Sequence, residues 1–580
     1  MAEDGVDDSD GRLALAKSLM QSGKLKDALT AIAGAAERDD AKLEERMLEA
    51  QLLKRLDRGG DSLALARDIV AAAPRNPRGH NNLAKTLLNL GSAKEAERHL
   101  ASVLPGFPKH APLRALHAQA TLMAGDVQGA LASIDSALEL DPENEGFKLR
   151  RAVMLAAAGR MPEADDIRRS IEDGAKVLLP IYRDWVFALL RNGQRALAMT
   201  LSEGACVLAP AQAEPWLWKA ELLLGEGRDV EASVALKNCT RANEPMTGDV
   251  AFRYARARGR ALRLAHDKDA AIAAFEESLA ERGEDTTTLR DLYVLNLQTK
   301  RDEEMRDYGR KLSAAVAKKL PPSLAQELES FRGRKPPPSI WDARAQWAWE
   351  LADKSIWTQE AWLESLYWGQ NADNLLRDWW LGAFERVSEI KALIDWPAQT
   401  PFDTLAPNTP CLCATTHMGP LACSIVYLQH CGRPYRGFGH AGPDPVVEGQ
   451  PPMRIASQNS AALREMMSEL RKGTLIGFAA ESPETHQPLT FDFLGRRITF
   501  STLVPRIIWK LKARSVWWHA LWRDGRAVME LEFLPDPQEN EPLDAWCQRW
   551  AHAYLERVGR VMRGNPENLN LGHGIWRNAD

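Results

Sequence analysis

Glycine recurs at a fixed interval through the first half of this chain of 580 residues. It stands at 91, 125, 159, 193 and 227, each 34 residues from the last, and Gly23 keeps the register two steps upstream of Gly91. Asp57 fills the slot between them. Five positions after each of the six glycines comes an alanine: Ala28, Ala96, Ala130, Ala164, Ala198 and Ala232. Apolar residues such as Leu83, Leu87 and Leu90 precede the turn. Two antiparallel helices per unit satisfy this pattern. The small residue lets them cross closely, and the glycine permits the tight turn between them.

The clearest copy reads GDVQGALASIDSALELDPEN (125–144), in which Pro142 stops the second helix and opens the next unit. Unit length, glycine, alanine and proline together resemble tetratricopeptide repeats, over about residues 11–318. A later unit, HDKDAAIAAFEESL (266–279), fits after a shift of register. The resemblance implies a solenoid whose concave face docks a protein partner, a peptide or a carrier. The plainer reading is an array that caps and stiffens the second half of the chain.

Prolines then break the rhythm at 321–322 and in GRKPPPS (333–339), so an extended linker is expected over 319–340. A helical lead-in comes next, at 341–399, and carries nine tryptophans. Two readings are open for these rings. They pack the lead-in onto its neighbours, or they rest on lipid headgroups at a membrane surface. Interleaved acidic residues and the lack of a basic polar face favour packing.

From 400 to 580 the pattern changes to short apolar strands between helices. Strands are expected at 411–416, 434–439, 474–480, 489–495, 515–522 and 527–534, with helices at 419–430, 455–472, 502–512 and 543–563. That alternation predicts a mostly parallel, three-layer sheet. The fold class is thus α followed by α/β, behind an acidic tail at 1–10.

Two strands end in chemistry. CATTHMGP (413–420) stops at His417, and FAAES (478–482) stops at Glu481. A base and its orienter leaving neighbouring strands at one sheet edge are what proton abstraction needs. Further on, FDFLGRRITFST places Arg496 and Arg497 side by side. The order of these segments resembles the lysophospholipid acyltransferase-like superfamily, and within it the lipid A late acyltransferases, over about 400–580. The resemblance implies a general-base histidine that deprotonates an acceptor hydroxyl or amine for attack on an acyl thioester. The superfamily motif carries an acid five positions beyond that histidine, whereas this chain has Ala422. Glu481 taking over the orienting role, an unassisted histidine, and a domain that binds without turnover are all open on the residues alone.

The expected catalytic residues are therefore His417 and Glu481. Arg454, Arg496 and Arg497 are candidate substrate-binding residues, because guanidinium forks match a phosphate of a lipid or carrier. Cys411, Cys413, His417, Cys423, His430 and Cys431 lack the paired spacing of a structural zinc site, so no metal is expected. No nucleotide loop is present and no cofactor is expected. A net charge of −5 gives no reason to expect nucleic acid. Seven unevenly spaced cysteines suit a reducing cytoplasm.

The leading expectation is an acyltransferase that draws on acyl carrier protein or acyl-CoA, acts on a glycolipid, saccharide or lipid-like acceptor, and uses its repeats to recruit the carrier or a partner. It would be cytoplasmic, with any peripheral contact at the inner face of the membrane. The alternative is an inactive acyltransferase-like scaffold that binds a lipid or protein.

Overall fold

The computed structural model describes residues 9–34, 42–171, 174–241, 246–439, 442–447, 449–450, 452–456, 460–481, 488–572 and 574–579. Residues 1–8 of the expected acidic tail lie outside this set, and Ser9 and Asp10 already belong to the first helix, Ser9–Gln21. The chain divides into two compact units, Met1–Ala274 with Lys335–Ser339, and Phe275–Arg334 with Ile340–Asp580.

The first unit is a solenoid of helix pairs. Pro77–Asn89 with Ala93–Val103, Ala111–Ala124 with Val127–Leu140, and Glu145–Ala157 with Met161–Ser170 are successive examples. The periodic glycines adopt φ between +73° (Gly227) and +102° (Gly125), and Asp57 in the glycine slot also has positive φ (57°). The six alanines five positions on are all buried, as the helix crossing requires. Helix starts are capped in sequence. Asn144 accepts from the Phe147 N–H (3.1 Å) and Asp126 from the Gly129 N–H (2.9 Å).

The solenoid also closes on itself. Asn192, in the turn after the helix Gly174–Arg191, accepts from the Ala93 N–H (2.9 Å) and donates to the Leu88 carbonyl (3.2 Å). Gln194 likewise donates to the Ala124 carbonyl (3.1 Å). A Cβ on Gly91 would stand 2.6 Å from the Arg191 carbonyl oxygen, so that turn needs glycine for room as well as for φ.

The second unit begins inside the helix Lys268–Glu281 and continues with two more repeat-like helices, Thr286–Thr299 and Asp302–Ala317. They pack on the long lead-in helix Gln359–Gly382, where Leu289, Leu312 and Val316 meet Leu381 in one cluster. Gly382 has no space for a side chain, because the Ala317 nitrogen would lie 2.8 Å from its Cβ. The repeat pattern expected to run to 318 therefore ends inside the second unit. The linker expected at 319–340 is not an extended connector throughout. Residues Leu324–Ser330 form a helix capped by Ser323, and Leu324, Leu328 and Phe331 sit in the core at helical spacing.

Eight of the nine tryptophans of the lead-in lie in the core or pack against it. Trp347, Trp362 and Trp379 are fully buried, and Trp347 meets Trp576 edge-on with centroids 5.2 Å apart. Among the nine, Trp396 is the one exposed ring (44%), so the burial of the others fits packing, the reading favoured for this segment. No helix of the described residues is long and apolar enough to cross a membrane.

The sheet of this unit is built from β1 (Ile394–Asp395), β2 (Cys411–Thr415), β3 (Tyr435–Gly439), β4 (Arg454–Ala456), β5 (Leu475–Ala479), β8 (Arg514–Arg523) and β9 (Arg526–Phe533), in the order β1-β9-β8-β2-β5-β3-β4. Every neighbouring pair is parallel except β8 with β9. That hairpin turns through Asp524-Gly525, both at positive φ, as a two-residue turn of this type demands. β2 is central and buried along its whole length. Alternate residues feed opposite layers. Leu412 and Ala414 join one cluster with the helices Ser460–Arg471 and Leu543–Met562, while Cys411 and Cys413 join another with the helix Leu421–Gln429.

Two expectations change here. Residues 454–456 pair with β3 as β4, so the helix expected from 455 begins at Ser460. And β6 (Pro488–Phe493) does not join the main sheet. It forms a separate hairpin with β7 (Arg496–Ser501), turning through Leu494-Gly495 at positive φ.

Candidate active site

β2 and β5 are parallel neighbours in register, with Thr415 opposite Ala479. Both strands therefore deliver their next residues to the same carboxyl edge of the sheet, where open α/β folds keep their chemistry. After β2 the chain passes through Thr416 and His417, then turns at Gly419 (φ +62°) into the helix Leu421–Gln429. The Gly419 N–H donates to the Asn568 carbonyl (2.7 Å), which fixes the turn. After β5 the chain reaches Glu481.

His417 and Glu481 meet there. Nδ1 of His417 lies 3.0 Å from Oε2 of Glu481, and the Thr416 hydroxyl donates to Oε1. The burial is unequal. The Glu481 side chain is 1% exposed, while the His417 side chain is 43% exposed. A buried carboxylate thus holds a ring that solvent or substrate can reach. With Nδ1–H donated to Glu481, the basic lone pair belongs to Nε2.

Three further residues shape the pair. Gly574, at φ +65°, lies against it so closely that a Cβ would overlap Glu481 Oε2 and stand 3.3 Å from His417 Nδ1. Tyr554 donates to the Thr415 carbonyl (2.7 Å) beneath the carboxylate. Burial, and next the Glu481 charge, hold its phenol well above the usual tyrosine range. Asp373, from the lead-in helix, is buried and accepts from Asn570 Nδ2 (3.0 Å), with Arg377 Nε 3.3 Å away. Burial raises its carboxyl above the ordinary aspartate range, against the opposing pull of Arg377, the Leu421 N–H, Asn570 and His417.

Asp373 thus reaches the N-terminus of the helix that carries Ala422 from a different element. Ala422 itself is buried against that helix's apolar neighbours. Nothing local marked Asp373 in the sequence, since it stands in a run of tryptophans and leucines 44 positions before His417.

The arginines fall elsewhere. Arg454, on edge strand β4, is committed to Asp444 through two bonds (3.0 and 3.2 Å), and that neighbour holds its guanidinium charged against the cost of burial. Arg496 lies over the Trp347 ring at 5.7 Å. Arg497 stands opposite Asp492 in the β6–β7 hairpin and is exposed. Arg454 and Arg496 thus have local partners, Asp444 and the Trp347 ring, while Arg497 faces solvent.

A second histidine sits on the other side of β2. His519 of β8 is fully buried, 3.2 Å from the Thr415 hydroxyl, and its Nε2 has no hydrogen-bond partner among the described residues. Burial pushes its pKa down to about 3, so the ring is neutral.

Residues 57–120 and 116–175 each match the tetratricopeptide repeat family. The N-terminal half is a tetratricopeptide solenoid. The chain is also 26% identical over 548 residues to the Vi polysaccharide export protein VexE of Salmonella typhi, an alignment spanning 92% of this chain and 76% of that one. It therefore takes in residues of both units. Among solved structures, a tetratricopeptide repeat protein from Parabacteroides merdae is 14% identical and covers 48% of this chain and 95% of its own, at a TM-score of 0.29. A thermophilic tetratricopeptide protein of Thermus thermophilus is 22% identical, with 31% and 99% covered, at 0.26.

Proposed function

We propose that the second unit is an acyltransferase acting on a saccharide or glycolipid acceptor, with His417 as general base and Glu481 as the carboxylate that orients it. The observation that carries this reading is the 3.0 Å contact between a buried carboxylate and a half-exposed imidazole at the carboxyl edge of a parallel sheet. In the proposed step Nε2 takes the acceptor hydroxyl proton as its oxygen attacks the thioester carbonyl of a carrier-bound acyl chain. The C–S bond then breaks, and the thiolate recovers the proton. Glu481 stabilises the imidazolium in between. Thr416 and Gly574 support the reading by fixing the carboxylate from two sides.

The likeness to a protein named for Vi polysaccharide export supports a surface saccharide as the acceptor class. The repeats, in this reading, recruit the carrier or an assembly partner. The test is release of free thiol from an acyl-carrier thioester by the purified full chain, with and without a surface polysaccharide. Acceptor-dependent release that His417→Ala abolishes is the expected result. No release by the parent under any acceptor favours the second reading, a non-catalytic component of polysaccharide export, for which Ala422 and the relative's name both speak.

A further inference from the structure

A cavity of about 300 Å³ lies in the second unit, between the end of the helix Leu421–Gln429, the start of β3 and the segment that leads into β4. It is separate from the site of His417. Tyr435, in its wall, stands opposite Leu475, the first residue of β5, whereas Glu481 comes after the last. The cavity therefore lies at the amino edge of the sheet, and the His417–Glu481 pair at the carboxyl edge.

Three arginines from separate elements surround it. Arg433 and Arg436 line it, and Arg306, from the helix Asp302–Ala317, donates to the carbonyls of Val447 and Gln450 in its wall. No acid lines it among the described residues. Arg436, whose side chain is 12% exposed, is paired with Glu465 (2.9 Å), a carboxylate that Lys300 also approaches (4.0 Å). Arg306 and Arg433 have carbonyl partners and no carboxylate among the described residues. Nη2 of Arg433 donates to the carbonyls of Pro407, Thr409 and Gly473, each at 2.9 Å, which pins the side chain beneath the starts of β2 and β5. Its Nε and Nη1 are buried and have no hydrogen-bond partner among the described residues. Gln429, in the same wall, has a buried Oε1 without a partner. A guanidinium keeps its charge, so donors left open in a buried place cost stability that an anion restores.

We propose that this cavity binds a small phosphate monoester of a hydroxylated compound, with its phosphoryl oxygens on Arg433 and Arg436 and a hydroxyl on Gln429. Guanidinium groups on separate elements suit a tetrahedral group with three acceptor oxygens better than a planar carboxylate. The volume is at the small end of ligand sites and fits a sugar phosphate rather than a nucleotide or an acyl chain. Phe384 and Met453 close the apolar side. Binding here is independent of any turnover at His417.

The test is calorimetric titration of the full chain with ribose 5-phosphate and glucose 6-phosphate, beside ribose, inorganic phosphate and glutarate. At least one ester should bind, more weakly as salt rises, while ribose should not. Arg436→Gln should weaken the ester by about tenfold or more. His417→Ala, at the other edge, should bind it as the parent does. Arg433→Gln should also weaken it; that variant loses three carbonyl contacts as well, so its melting temperature is read first, and Arg436→Gln decides if it unfolds. Binding of neither ester overturns the proposal, as does undiminished binding by Arg436→Gln. Ester binding lost in His417→Ala would put the ligand at the carboxyl edge and overturn it too. Inorganic phosphate or glutarate binding as tightly as the esters would mark an unselective anion site and overturn the proposed ligand.

Discussion

Glu481 holds His417 through one carboxylate oxygen, 3.0 Å from Nδ1, and Thr416 through the other. If that contact orients a working base, Glu481→Gln should lower turnover by up to roughly 10⁴-fold, because an amide does not stabilise the imidazolium. Thr416→Val should lower it less. Turnover by Glu481→Gln at the parent rate would remove the carboxylate from the mechanism. The measurement is thiol release at saturating donor.

Gly574→Ala tests the same pair by another route. Its φ of +65° disfavours any side chain, and the added carbon meets Glu481 and His417. A stability loss of about 1–3 kcal/mol is expected, together with lost turnover. Gly572→Ala, at an exposed position whose nearest neighbour would lie at 3.4 Å, is the control and should change neither. Thermal melts of the two variants separate the outcomes.

His519 sets a pH dependence of stability. Its folded pKa is about 3, below the unfolded value near 6.5, so the unfolded chain binds a proton that the folded chain refuses. Stability from this group is therefore fully present above about pH 6.5 and is lost as pH falls, by about 1.4 kcal/mol per pH unit until the folded ring also titrates. His519→Gln should flatten that loss. Denaturant titrations at pH 7 and pH 5 should show the parent losing roughly 2 kcal/mol more than the variant.

The repeats should fold without the α/β domain if cut in the right place. A fragment ending after Leu264 keeps the helix pairs of the first unit, without its last residues, 265–274, and the segment Lys335–Ser339. One ending at 318 adds two helices whose Leu289, Leu312 and Val316 pack against Leu381 further along. The shorter fragment should be helical and monomeric by circular dichroism and gel filtration, and the longer one should associate. Equal behaviour of the two would refute the assignment of those helices to the second unit.

His417 and Glu481 were legible because an apolar strand that stops at a polar residue announces its own end, and two such strands in a parallel sheet share an edge. Asp373 was not, since its nearness to that edge depends on how a tryptophan-rich helix packs. The surroundings of the arginines were not legible for a related reason. Their charge is written in the sequence, but the Asp444 that claims Arg454 and the Trp347 beneath Arg496 are set by β4 and by the lead-in helix. The tryptophans were legible as packing residues from the acids interleaved among them. The repeat register extended further than its glycines. His266 and Lys300, also 34 apart, take the same left-handed turn (φ 63° and 59°) without being glycine.

The bond from Asn192 back to Leu88 and Ala93 carries a constraint on how this array can change in length. Solenoids gain and lose whole units readily, because a deleted copy leaves its neighbours with equivalent faces to meet. Between Ala93 and Asn192 that freedom is absent. A copy inserted or removed there would carry the asparagine one whole repeat away from the carbonyl and amide it reaches. Duplication should therefore be tolerated towards the ends of the array, while the stretch spanned by this bond keeps its number of copies.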